Sequence, residues 1–204
     1  MLTRERIEAR AALRPLKQPL YDTGLILTAG VQRVQFFNAP IGGALGAAVK
    51  SEADTNLTQS GMIGRPAEFD LYGFQLELQI VGDDCPNTVR DLNLIYDTSA
   101  FEFFFGQQRP WLQVPAQEIP NGPGIEGAFS TADDAAAENY FFGHCGKGSS
   151  KAMYNFTIGK KPIPIGSAES FSALLSWPGG AINPAGAVDI RARCYMKGIY
   201  YSGL

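Results

Sequence analysis

The clearest pattern in the chain lies near its C-terminal end. Val188, Ile190, Ala192, Cys194 and Met196 alternate with Asp189, Arg191, Arg193, Tyr195 and Lys197, the period of two expected of a half-buried β-strand with one core face and one basic-aromatic face. Residues 68–81 give a second strand, in which Tyr72, Phe74, Leu76, Leu78 and Ile80 oppose Gly73, Gln75, Glu77 and Gln79. Phe69 and Leu71 fall on the odd phase, so a bulge is expected near Gly73. Phe171, Ala173, Leu175 and Trp177 alternate with serines and a leucine in a third strand. Phe101–Phe105 and Trp111–Val114 read as two strands joined by a turn at Gly106–Pro110. Residues 24–37 read as one or two strands broken at Gly30, and residues 151–158 and 161–165 as shorter pieces.

Helical spacing is confined to two places. Residues 2–13 fit a short helix that Thr3 caps and Pro15 ends. On it Arg6, Arg10 and Arg14 recur every four residues as a basic stripe. Val89, Leu92 and Ile95 suggest a second short helix over residues 88–96. Residues 39–64, rich in Gly, Ala, Ser and Thr, and residues 115–139, rich in Pro, Gly, Asp and Ala, read as long surface loops. The count of eight to ten strands without an internal repeat predicts an all-β fold, a jelly-roll β-sandwich of two antiparallel sheets. Residues 1–20 form its N-terminal basic arm, with the short helix, and residues 21–204 the single sandwich domain.

Composition supports strands over helices, because 23 Gly, 13 Pro, 13 Phe and 8 Tyr in 204 residues suit sheets joined by turns. No run of 18 apolar residues occurs, and the N-terminus lacks the apolar stretch of a secretory signal. The three cysteines, Cys85, Cys145 and Cys194, have no disulfide-framework spacing, which suits a reducing compartment. The net charge of −3 conceals a division: residues 1–50 and 147–204 are basic, and residues 51–146 are strongly acidic. Both ends on one side of the fold would make the molecule dipolar, favouring ordered self-association or an anionic partner.

Catalytic groups are sparse. His144 is the sole histidine and is followed by Cys145, but adjacent side chains on an extended backbone diverge, which disfavours a Cys/His pair. Neither CxxC nor HxxxH spacing supports zinc. Asp83-Asp84, Asp133-Asp134 and Glu138 read as solvated loop charges, and Gly122–Gly127 as a turn and not a dinucleotide fingerprint. Asn56-Leu-Thr58 and Asn155-Phe-Thr157 match glycosylation sequons in form only. The expectation is a non-enzymatic protein with no catalytic residue, cofactor or metal. Arg191, Arg193, Tyr195 and Lys197 are instead expected to meet a partner, as a subunit interface or by stacking on nucleotides.

The basic arm, the strand pattern, the broad Gly/Pro loops and the closing strands 171–177 and 188–201 together resemble the single jelly-roll coat proteins of small icosahedral, tailless bacteriophages. That resemblance implies a capsid subunit, made in the host cytoplasm and resident in the virion, that forms homo-oligomers. Its arm residues Arg6, Arg10 and Arg14 would contact neighbouring subunits, other virion proteins, the genome or an internal membrane. Glu5 and Glu8 offset the arm's basic charge and weaken a genome-packaging role. A carbohydrate- or receptor-binding sandwich, such as a phage spike head using Trp111 and Tyr140, is the alternative.

Overall fold

The computed structural model describes residues 13–79, 94–106, 109–120, 125–126, 129–132, 140–143, 146–147, 151–155, 161–184 and 189–202. Its strands are antiparallel throughout and form two main sheets. The first takes β1 (Arg14–Leu16), β2 (Leu20–Ile26), β6 (Glu68–Gln79), β13 (Tyr154–Asn155), β14 (Ile163–Ile165) and β16 (Ile190–Ser202). The second takes β3 (Arg33–Phe36), β15 (Phe171–Ser176), β7 (Ala100–Phe105) and β8 (Leu112–Pro115), side by side in that order. Three two-stranded sheets accompany them among the described residues: β4 (Ala44–Leu45) with β5 (Ala48–Val49), β9 (Ile125–Glu126) with β12 (Gly146–Lys147), and β10 (Phe129–Ala132) with β11 (Tyr140–Gly143).

The six strands of the first sheet fill four positions, because two long strands each pair with shorter ones in tandem. β16 binds β2 along residues 190–196 and β1 along residues 200–202, both on the same side. On its other side β16 runs against β6. The far edge of β6 is shared by β13 and β14. The inner faces of the two sheets meet in one core, where the Phe74 ring from β6 lies 5.1 Å from Phe101 and 4.8 Å from Phe103 of β7. Ala192, Cys194 and Met196 supply the inner face of β16 and are fully buried, as their alternation requires.

The phase slip in β6 is a bulge. Lys197 lies opposite Gly73 and Gly198 opposite Leu71, which leaves Tyr72 as the extra residue. The kink depends on absent side chains. A Cβ on Gly73 would collide with the Tyr154 carbonyl, and one on Gly198 with the Asp70 carbonyl and the Phe69 ring. The break between β2 and β3 is also as expected, with Gly30 at φ 103°.

Several expectations require correction. Arg14 lies in a strand and not at the end of a helical stripe, because β16 offers residues 14–16 a backbone ladder that a short isolated helix lacks. The sheet therefore begins inside the segment expected to be an arm. Residues 1–12, with Arg6, Arg10 and the expected helix, lie outside the described residues. A helical turn spans residues 94–98 and overlaps the end of the expected helix, whose residues 88–93 lie outside the described residues. The 115–139 segment contains β9 and β10 and a 3-10 turn, Ala116–Glu118. The 39–64 segment is anchored, with Leu45, Lys50, Asp54, Thr55, Leu57 and Ile63 buried.

Gly198→Ala is expected to destabilise the fold by about 3 kcal/mol, the upper range for overpacking, because a backbone carbonyl cannot swing aside as a side chain does. Gly179→Ala, where a Cβ meets nothing within 4 Å, is expected to stay within about 0.5 kcal/mol of wild type. Urea unfolding of the two variants checks both.

Candidate functional site

The basic-aromatic face of β16 is set by its register. Opposite each outward residue stands an outward residue of β2 and another of β6: Arg191 between Leu25 and Gln79, Arg193 between Thr23 and Glu77, and Tyr195 between Tyr21 and Gln75. Residues 50–56 then pack along the open edge of β2. The Asn56 side chain accepts from the Tyr21 N–H at 3.0 Å and donates to the Pro19 carbonyl at 2.8 Å, so this loop closes the edge of the sheet.

With the loop in place the outer face becomes a network. Arg191 Nη1 reaches Asp54 Oδ1 at 3.1 Å. Arg193 donates from Nε to Thr23 Oγ1 at 3.0 Å and from Nη2 to the Ala53 carbonyl at 2.9 Å, and its Nη1 stands 3.9 Å from Glu77 Oε2. The Tyr195 hydroxyl donates to Glu77 Oε2 at 2.6 Å. The Lys197 ammonium lies 4.8 Å from the centre of the Tyr195 ring, a cation–π contact. Burial and the Glu77 carboxylate push the Tyr195 hydroxyl up to about 12, against the opposing Arg193 charge. Arg191 keeps 39% of its side chain exposed and Arg193 only 16%, so Arg191 is the more accessible of the two arginines.

A second charged pair lies on the inner side of the same strands. Asp22, opposite Cys194, is fully buried, and its two carboxylate oxygens accept from Lys50 Nζ at 2.6 and 2.7 Å. Asp22 Oδ2 also accepts from the Phe37 N–H at 2.6 Å. Phe37 needs that anchor, since it is a non-glycine residue at φ 64°. Burial raises the Asp22 carboxyl above its ordinary value against the pull of Lys50 and the Phe37 N–H. Burial, with the charge of Asp22, also raises the Cys194 thiol. That thiol is protonated and fully enclosed, so it is no nucleophile.

Of the residues singled out from sequence, the fold gathers Arg191, Arg193, Tyr195 and Lys197 on one face and brings Arg14 to the same strand's far end. It also adds Tyr21, Thr23, Asp54 and Glu77, which the sequence reading passed over. Glu77 could have been found, because it falls on the polar phase of the strongest neighbouring strand. Among the described residues no group of three or more His, Cys, Asp and Glu side chains could hold a metal ion; His144, Cys85 and Cys145 lie outside those residues. Comparison with known proteins found no matching family model, no similar curated protein and no similar solved structure.

Lys50→Met, which strands the Asp22 carboxyl in the core, is expected to cost about 3–5 kcal/mol. Arg191→Ala is expected to cost under about 1 kcal/mol because that pair is partly solvated. Chemical denaturation measures both.

Asp54 supplies a pH test. Burial opposes its ionisation, but the Ser51 N–H and hydroxyl and the Arg191 and Arg193 charges outweigh it and hold the carboxyl below 3.8. The folded state thus binds fewer protons than the unfolded one in that range. The resulting stability is complete above about pH 4 and is lost as pH falls through the lowered value. The stability gap between wild type and Asp54→Asn is therefore expected to narrow on acidification below pH 4, as followed by urea midpoints across pH.

Proposed function

We propose that this chain is a jelly-roll coat subunit that assembles with copies of itself into a closed shell. The observation that carries the reading is connectivity. Taking β1/β2 as the first position, then β3, β6, β7, β8, β13/β14, β15 and β16, the hydrogen-bonded pairs include first with eighth, second with seventh, third with sixth and fourth with fifth. Those are the rungs of one long hairpin, and the added ladders β16·β6 and β15·β7 are the contacts made when it is rolled into a sandwich. This pairing supports the jelly-roll reading, an architecture common to viral capsid proteins, lectins and cupins.

Charge favours the capsid member of that set. The pairing of β1 with β16 brings Arg14, from the basic N-terminal part of the chain, into the same sheet as the basic face of β16. Exposed cations held on a rigid sheet favour an oriented contact with an acidic surface of a second copy. Arg14 and Arg191, which both keep substantial exposure, are the natural contacts for a neighbour. The glycan-binding reading draws support from one feature, Trp111, which is half exposed and offers a ring on which a sugar could stack.

Purified protein is expected to form closed particles or regular multimers in negative-stain images. Arg14→Glu/Arg191→Glu is expected to abolish them while leaving the thermal midpoint within a few degrees of wild type. A monomer at every concentration that binds glycans through Trp111 would replace the coat reading with the second one.

A further inference from the structure

The bulge that kinks β6 also shapes a groove on the outer face of the first sheet. It has a volume of 460 Å³ and crosses the strands from Pro15 and Lys17, over Lys197 and Ile199, to Tyr72 and Met153. That volume lies within the range of about 300–1,000 Å³ typical of small-ligand sites. Its walls are an alkyl and aromatic surface: a proline ring, an isoleucine, a thioether chain that adapts to irregular shapes, and Tyr72, which the bulge turns out of the regular ladder. Two ammonium groups border it. Lys17 is exposed, and Lys197 is half-buried and close enough to Lys17 that the Lys17 charge disfavours its own.

We propose that this groove binds a free single-chain anionic amphiphile, a carboxylate or phosphate head between Lys17 and Lys197 with an alkyl chain along Pro15, Tyr72, Met153 and Ile199. Charge complementarity selects the head, since a negative group between the two lysines relieves their mutual repulsion. The apolar walls select the tail, since a bare anion would leave them wet and a polyanion would need a row of cations. Burial and Lys17 together hold the Lys197 ammonium below its ordinary value, against the pull of Glu77, and a bound anion restores it. The inference stands apart from the coat reading, because it rests on the groove alone.

Titration of the full chain with decanoate, followed by calorimetry and by ¹³C-methyl methionine NMR, tests it. Saturable one-to-one binding is expected, with movement of the Met153 methyl signal. Acetate and decan-1-ol are each expected to bind at least about tenfold more weakly, the loss for one missing charge-assisted or apolar contact. Lys17→Gln/Lys197→Gln is expected to weaken decanoate by a similar factor with the thermal midpoint retained. Decanoate affinity unchanged in that variant, acetate equal to decanoate, or binding to anionic vesicles without binding to free decanoate would overturn the proposal. Should the double variant fail to fold, the wild-type methyl signals decide: movement at Met62 or Met196 with Met153 still would also overturn it.

Discussion

The ladder between β16 and β6 is the constraint on which the rest of the first sheet depends. These are its two longest strands, and every other strand in it is a shorter segment hydrogen-bonded to one of them. A strand with one face in the core fixes its register strongly, because a slip of one residue would turn Ala192, Cys194 and Met196 outward and send Arg191, Arg193 and Tyr195 into the core. The bulge at Tyr72 is the single interruption, and Gly73 and Gly198 make it sterically feasible. From that register follow the placement of Glu77 beneath Arg193 and of Asp22 beside Cys194.

Asp22 and Lys50 show how a loop is recruited into such a frame. A buried ion pair contributes little net stability, since desolvation offsets the attraction, yet losing either partner is costly. Its effect here is selective. Lys50 can satisfy Asp22 only when residues 39–64 follow one path, and the same carboxylate holds the Phe37 N–H in the left-handed turn that starts that path. The loop then delivers Asp54 and Ala53 to the outer face, where they engage Arg191 and Arg193. One interior pair thereby sets the geometry of the exterior network.

What could be read from the sequence divides along the same line. The strands around Phe74, Phe101, Phe171 and Cys194 were legible because each buries one face, and burial imposes a period of two. The bulge was legible as a break in that period. The anchoring of Lys50 and Asp54 was not, because the partner of a buried charge lies 28 residues away in one case and across the sheet in the other. The alternating charges of β16 announced an outward face without revealing that a loop would occupy part of it. Arg14 was misplaced because the spacing of three arginines is a local signal, and the available edge of β16 outweighed it.

The central position of β16 has a kinetic meaning as well. A ribosome delivers this strand last of those described, yet β2 and β6 both require it as a neighbour. Until it emerges, the first sheet consists of edges without a partner between them, and the pairing of first position with eighth must close nearly the whole chain into one loop. Emergence of β16 is thus the event that permits the first sheet to close, since no other described strand pairs with both β2 and β6.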